Sequence, residues 1–176
     1  HGLLTVLKLF VKYEVLVGNE YWGGRFKRTF KHPDLGIMAD SFAFFETNVH
    51  ARFYNRINEL LHLNTDEFYD SYIEDEVLRG RIEFIESIVK DPDPLVSLAA
   101  FAIVEGSILF SSFAFIKHFQ SNGKNLVPNA VAGINFSVRD ENIHNAGGSW
   151  AFRKLLSESN LTPEQKIHLY GRLYEI

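Results

Sequence analysis

Four glutamates stand in apolar surroundings: Glu14 in FVKYEVLVG, Glu46 in FAFFETNVH, Glu105 in FAIVEGSIL and Glu141 in NFSVRDENIH. A buried, ionised carboxylate without a partner is prohibitive, so it neutralises or meets a counter-charge. Surface or cap positions account well for Glu59, Glu67 and Glu74, whose neighbours are polar. They account only moderately for Glu14 and Glu46, and poorly for Glu105. Two of the four glutamates have a histidine at helical spacing, Glu46 with His50 (i,i+4) and Glu141 with His144 (i,i+3). On an α-helix these pairs are about 40° and about 60° apart, so either can converge on one ion.

One such pair is common on a solvated helix face; the order of all four is the stronger signal. Along the chain it reads carboxylate, Glu–His, carboxylate, Glu–His, the pattern of ferritin-like di-metal carboxylate bundles. Charge agrees, because two divalent ions balance four carboxylates and leave the imidazoles neutral. Oxygen-rich ligation with two imidazoles suits iron or manganese better than zinc or copper. The expected cofactor is therefore two divalent metal ions, Fe/Fe first, with Mn/Fe and Mn/Mn open.

Helical spacing positions these residues, and strand alternation is almost absent. Leu3, Leu4, Leu7, Phe10, Val11 and Tyr13 define a first helix stopping at Gly18. The stretch from Asn19 to Pro33 reads as a polar, glycine-containing connection with a short helix around Phe26. A long helix is expected from Asp34 to Leu63. Asn64 with Glu67 resembles a capping box, opening a more charged region to Val89. Asp91 to Pro94 is a break, Leu95 to Gln120 a helix closed by Ser121-Asn122-Gly123, and Pro128 to Ser157 another. Thr162-Pro163-Glu164-Gln165 starts the last helix. The expectation is a single all-α domain over residues 1–176, a ferritin-like helical bundle with a di-metal carboxylate site in its core.

Composition narrows the rest. A chain of 176 residues buries roughly 70% of its unfolded surface, and sixteen Phe predict an aromatic interior. Net charge −4 offers no basic footprint for nucleic acid. The absence of Cys excludes disulfides, thiolate metal sites and Cys nucleophiles, and fits a reducing, intracellular setting. Leu95 to Phe115 is long enough to cross a membrane, but Glu105 near its middle carries an insertion cost of about 2.5–3.5 kcal/mol. A buried central helix is the better reading, with no membrane partner. The chain begins at His1 with its apolar pattern already running and no visible signal peptide, and reads as a piece of a longer protein.

RDENIH (Arg139 to His144), preceded by GINFSV, resembles the second metal motif of class I ribonucleotide reductase small subunits. FAFFETNVHARFY (Phe42 to Tyr54) resembles their first, VEGSILFSSFAF (Val104 to Phe115) the helix of the third carboxylate, and LKLFVKYE the helix of the first. The resemblance covers roughly residues 1 to 155 and also admits a fragment or a compact, phage-like member. It implies that Glu14, Glu46 and His50 hold one metal ion and Glu105, Glu141 and His144 the other, some carboxylates bridging. It implies further that Tyr54 is the radical site, Asp140 a radical-transfer link near His50, and Leu109, Phe110 and Phe113 an apolar surround for the tyrosine.

The sequence departs from the family pattern in three places. Glu46 and His50 have three residues between them instead of two, with Thr47 at the usual position, which calls for a local helix bulge. Glu14 stands where tyrosyl-radical members often have Asp. The upstream electron-transfer tryptophan and the C-terminal tail that docks the large subunit are not identifiable; Trp22 and Trp150 are wrongly placed for that role.

The implied activity is oxidation of Tyr54 after the di-metal centre meets an oxygen species. The radical then passes to a large catalytic subunit that reduces ribonucleotides, whether di- or triphosphates. A homodimer in the cytoplasm is the expected assembly. The rival readings are another ferritin-like di-metal oxidase or monooxygenase, an iron-storing ferroxidase, and a helical interaction module. Phe44, Phe45 and Phe110 argue against the substrate tunnel that an oxidase needs.

Overall fold

The structure is a computed structural model describing residues 2–176, and among these every regular element is helical. The chain divides into two compact units, one running to Val89 and the other from Lys90 to Ile176.

In the first unit, α1 (Gly2–Leu16) passes without a break into a π-helical stretch, Val17–Phe26, and then α2 (Lys27–Thr29). The polar connection expected from Asn19 is therefore helical as far as Thr29. Burial explains the difference. Tyr21, Trp22 and Phe26 are almost wholly enclosed, with Trp22 centred 5.2 Å from Phe26 and 4.9 Å from Phe42. Burying each such ring contributes about 1.5–3 kcal/mol, against about 1 kcal/mol lost per helical glycine.

The expected long helix appears as α3 (Pro33–Phe44), a π-helical stretch Phe45–His50, and α4 (Ala51–Leu60). Pro33 occupies the first turn and His32 caps it, Nδ1 accepting from Asp34 N. The helix ends three residues before Leu63, because His62 takes a left-handed φ of 57°. The next helix, α5 (Asp66–Asp70), is capped by Thr65, one residue later than Asn64; its hydroxyl accepts from Phe68 N. A 3-10 turn, Ser71–Glu74, leads to α6 (Glu76–Lys90). Leu78 and Ile82 of α6 bury against Leu9 of α1.

In the second unit, Asp93 caps α7 (Pro94–Ile103), Oδ1 accepting from Leu95 N at 2.9 Å. A π-helical stretch, Val104–Ile108, connects α7 to α8 (Leu109–Lys117). The run stops at His118–Gly123, where Asn122 and Gly123 take left-handed φ of 55° and 74°, the expected helix stop. Helices α9 (Pro128–Glu158) and α10 (Pro163–Tyr174) follow, and Thr162 with Gln165 forms the expected capping box. α7 packs along α9 and against α10, where Leu169 joins Leu95 and Val96. Arg172 ties α10 to Asp91 at 2.6 Å.

Pro94–Gly123 is long and apolar enough to cross a membrane by length and composition. Its Leu95, Leu98, Phe101, Val104, Leu109 and Phe113 are nevertheless buried, and so is Glu105 in its middle. That burial is consistent with the core helix expected from the sequence.

Candidate metal centre

Glu14 lies near the end of α1, while Glu46 and His50 lie in the π-helical stretch Phe45–His50; all three are buried. His50 Nδ1 is 3.0 Å from Glu46 Oε2 and 4.0 Å from Glu14 Oε2. One ligand atom from each of the three falls within 4.8 Å of the others. The bulge that the Glu46–His50 spacing demands is present as this π stretch. Four residues in a π turn fall short of a full turn, as three do in an α-helix, whereas four in an α-helix overshoot it. The inserted residue thus leaves the histidine on the same side of its glutamate.

The stretch is packed closely from the side. A Cβ on Gly18 would lie 2.7 Å from Thr47 Cγ2, 3.0 Å from Glu46 Cβ and 3.1 Å from the Ala43 carbonyl oxygen. Only glycine lets the Val17–Phe26 stretch approach so near the backbone that carries Glu46. Thr47 Oγ1 donates to Ala43 O at 2.7 Å, which ties the turn to the helix before it.

In the second unit, Glu105 lies in the π-helical stretch Val104–Ile108, and Glu141 and His144 lie on α9; all three are buried. His144 Nδ1 is 3.1 Å from Glu141 Oε2, and the three again offer ligand atoms within 4.8 Å of one another. Each unit thus builds two carboxylates and one imidazole into a buried cluster. The donor chemistry fits a divalent cation in each: oxygen-rich, charge −2, and enclosed where an uncompensated carboxylate pair would be costly. Glu14, Glu46 and His50 could hold one ion, and Glu105, Glu141 and His144 another.

Tyr54 is fully buried on α4, one turn beyond His50. Its ring centre is 4.4 Å from that of Phe10 and 5.2 Å from that of Phe53. One turn further on, Asn58 is also fully buried. Asp140 is half-buried beside Glu141. In α8, Leu109 and Phe113 are buried and Phe110 is half-buried. Phe44 and Phe45, expected to crowd a tunnel, are 56% and 39% exposed and fill no interior space. Helical spacing alone does not separate them from their buried neighbours Phe42 and Glu46.

Sequence reasoning missed Gly18, Gly106 and Asn145. The signal available was a small residue within a few positions of each ligand, and Asn145 directly after His144.

A model of the ribonucleotide reductase small chain matches residues 1–176. The chain belongs to that family. The all-α, ferritin-like fold expected from the sequence is the family's fold, and a cluster of buried carboxylates and histidines is present. Among curated small-chain proteins it is similar to the ribonucleoside-diphosphate reductase subunit beta of Mycoplasmoides gallisepticum (strain R(low / passage 15 / clone 2)). The identity is 31% over 135 residues, 75% of this chain and 38% of that protein. It is also similar to the protein of the same name from Mycoplasma pneumoniae (strain ATCC 29342 / M129 / Subtype 1), 28% identical over 144 residues, 80% of this chain and 42% of that protein. The matched part of the chain thus spans less than half the length of these small-chain relatives.

Proposed function

We propose that this chain is the radical-generating core of a class I ribonucleotide reductase small subunit, with its stored radical on Tyr54. The observation that carries the reading is the repeated buried cluster of two glutamates and a histidine, in a chain of the small-chain family. In the proposal, Glu14, Glu46 and His50 hold one ion, Glu105, Glu141 and His144 the other, and some carboxylates bridge. Iron in both positions is the first choice; manganese in one or both is compatible with the donors.

When bound, the ions supply the oxidising power that a tyrosine needs. The chain's own residues do the rest. The glutamates and histidines present a dry, negative cradle that fixes the position of each ion. Tyr54 carries a phenol O–H, so it gives up a proton together with its electron. Burial against Phe10 and Phe53 keeps water and reductants from the resulting phenoxyl. Asp140, beside Glu141, is the proposed link by which the radical equivalent leaves, and Leu109, Phe110 and Phe113 complete the apolar surround. The proposed recipient is a large catalytic subunit. Ribonucleoside diphosphates are the proposed substrates, in keeping with the names of the relatives. The proposed assembly is a homodimer in the cytoplasm.

The test is anaerobic loading with iron or manganese, then oxygen, read by metal analysis and electron paramagnetic resonance. Two ions per chain and a tyrosyl signal are expected. A loaded, oxygen-reactive chain with no protein radical would favour a di-metal oxidase instead.

A further inference from the structure

Asn145 follows His144 on α9, and its side chain reaches to the π-helical turn that carries Glu105. Asn145 Nδ2 donates to the backbone carbonyl of Ala102 at 2.5 Å. That carbonyl lies just ahead of the π stretch Val104–Ile108, where bonding shifts from i→i+4 to i→i+5 and the carbonyl ladder loses its regular pairing. The approach depends on Gly106. A Cβ there would lie 2.3 Å from Asn145 Nδ2 and 2.9 Å from its Cγ. Any larger side chain at 106 would have to push the Asn145 amide out of this contact.

We propose that Asn145 and Gly106 form a latch that sets the register of α9 against the π turn and so holds Glu141 and His144 to Glu105. The proposal rests on the metal-centre reading above. Asn145 is a positioning residue in it and touches no metal. It is one residue from His144 and four from Glu141, so any slip or rotation of α9 that breaks the amide contact displaces both ligands. Helix α9 packs on the π turn, and apolar burial between helices is by itself non-directional. The amide–carbonyl bond adds direction. Groups that orient metal ligands from behind typically change metal affinity 10- to 100-fold when removed.

The experiment titrates the metal-free full chain with Mn(II), counting bound ions by the loss of the free-ion paramagnetic signal, for wild type, Asn145→Ala, Gly106→Ala and the double variant. Wild type should take two ions. Each single variant should weaken one ion roughly tenfold or more and leave the other nearly unchanged. The double variant should be no worse than either single, because both break the same contact. Alanine is the better helix former, so the metal-free Gly106→Ala chain should melt no earlier than wild type, separating positioning from simple loss of stability. Two-ion binding by Asn145→Ala with wild-type affinity overturns the latch, as do additive losses in the double variant. A wild-type chain that takes up no manganese overturns the metal-centre reading and the latch with it.

Discussion

Glu46 and His50 are four residues apart and still meet at 3.0 Å, a contact matched by Glu141 and His144 at 3.1 Å with three residues of separation. The first pair sits in a π turn and the second in a regular α-helix. Two different spacings therefore produce the same pairing. The π turn absorbs the extra residue where it arises, so that α4 continues in register and keeps Tyr54 inward.

Deleting Asn48 should convert the π turn to a plain α-helix with the common Glu-x-x-His spacing. Glu46, His50 and Tyr54 should keep their relative places, with an apo melting temperature within a few degrees of wild type and metal still bound. Deleting Arg56 instead turns everything after it by about 100° and should unfold the first unit. Circular dichroism melts and metal counts compare the two. Equal damage from both would mean that the π turn does not absorb the insertion.

Glu105→Ala should abolish binding of one of the two ions. Glu105→Leu should also lose that ion, yet stabilise the metal-free chain, because an apolar side chain replaces a buried carboxylate. Metal analysis and apo melting curves read the two effects separately. Two ions retained at unchanged affinity in Glu105→Ala would remove Glu105 from the ligand set.

Tyr54→Phe deletes one hydroxyl from a fully buried ring and should leave packing and metal content nearly unchanged. The tyrosyl signal should vanish, and with it nucleotide reduction when a large subunit is supplied. Loss of metal would instead make Tyr54 a ligand. A surviving radical with full activity would place the stored oxidant elsewhere.

Gly18→Ala should destabilise the first unit by about 1–3 kcal/mol, the usual range for overpacking a tight contact. Thr47→Ser in the same chain should recover part of this, since it removes Cγ2, the nearest obstacle, and keeps the hydroxyl that bonds Ala43 O. Denaturant melts of the single and double variants decide. Failure of the serine to help would put the strain at the Ala43 carbonyl.

At the start of α10, the backbone amide and then the Thr162 hydroxyl hold the Glu164 carboxyl below its usual range. A carboxyl whose pKa is depressed by folding contributes stability above its ordinary pKa and loses that contribution as pH falls through the folded value. Thr162→Ala should cost about 1 kcal/mol of cap energy and move the Glu164 titration back up. Chemical shifts of Glu164 against pH check the second effect. An unmoved titration would exclude the hydroxyl as a cause.

The sequence by itself determined what depends on near neighbours. Glutamates in apolar runs, histidines three and four residues from them, the break at Asp91 to Pro94, the cap at Thr162, and the Asn122–Gly123 stop are local signals, and each stands where its spacing placed it. The demand for a bulge between Glu46 and His50 was also local, because one extra residue must be absorbed within that turn. Tertiary structure decided what local pattern leaves open. Val17 to Phe26 is helical because Tyr21, Trp22 and Phe26 bury together with Phe42 from another helix, and that burial outweighs the glycines. The outward placement of Phe44 and Phe45 depends on which face of the helix its neighbours cover, which composition does not reveal. Gly18 and Gly106 read in sequence only as residues that weaken helices. Thr47, across from Gly18, leaves no room for a larger side chain there, and Asn145, across from Gly106, would have to give up its place to one; both partners are remote in sequence.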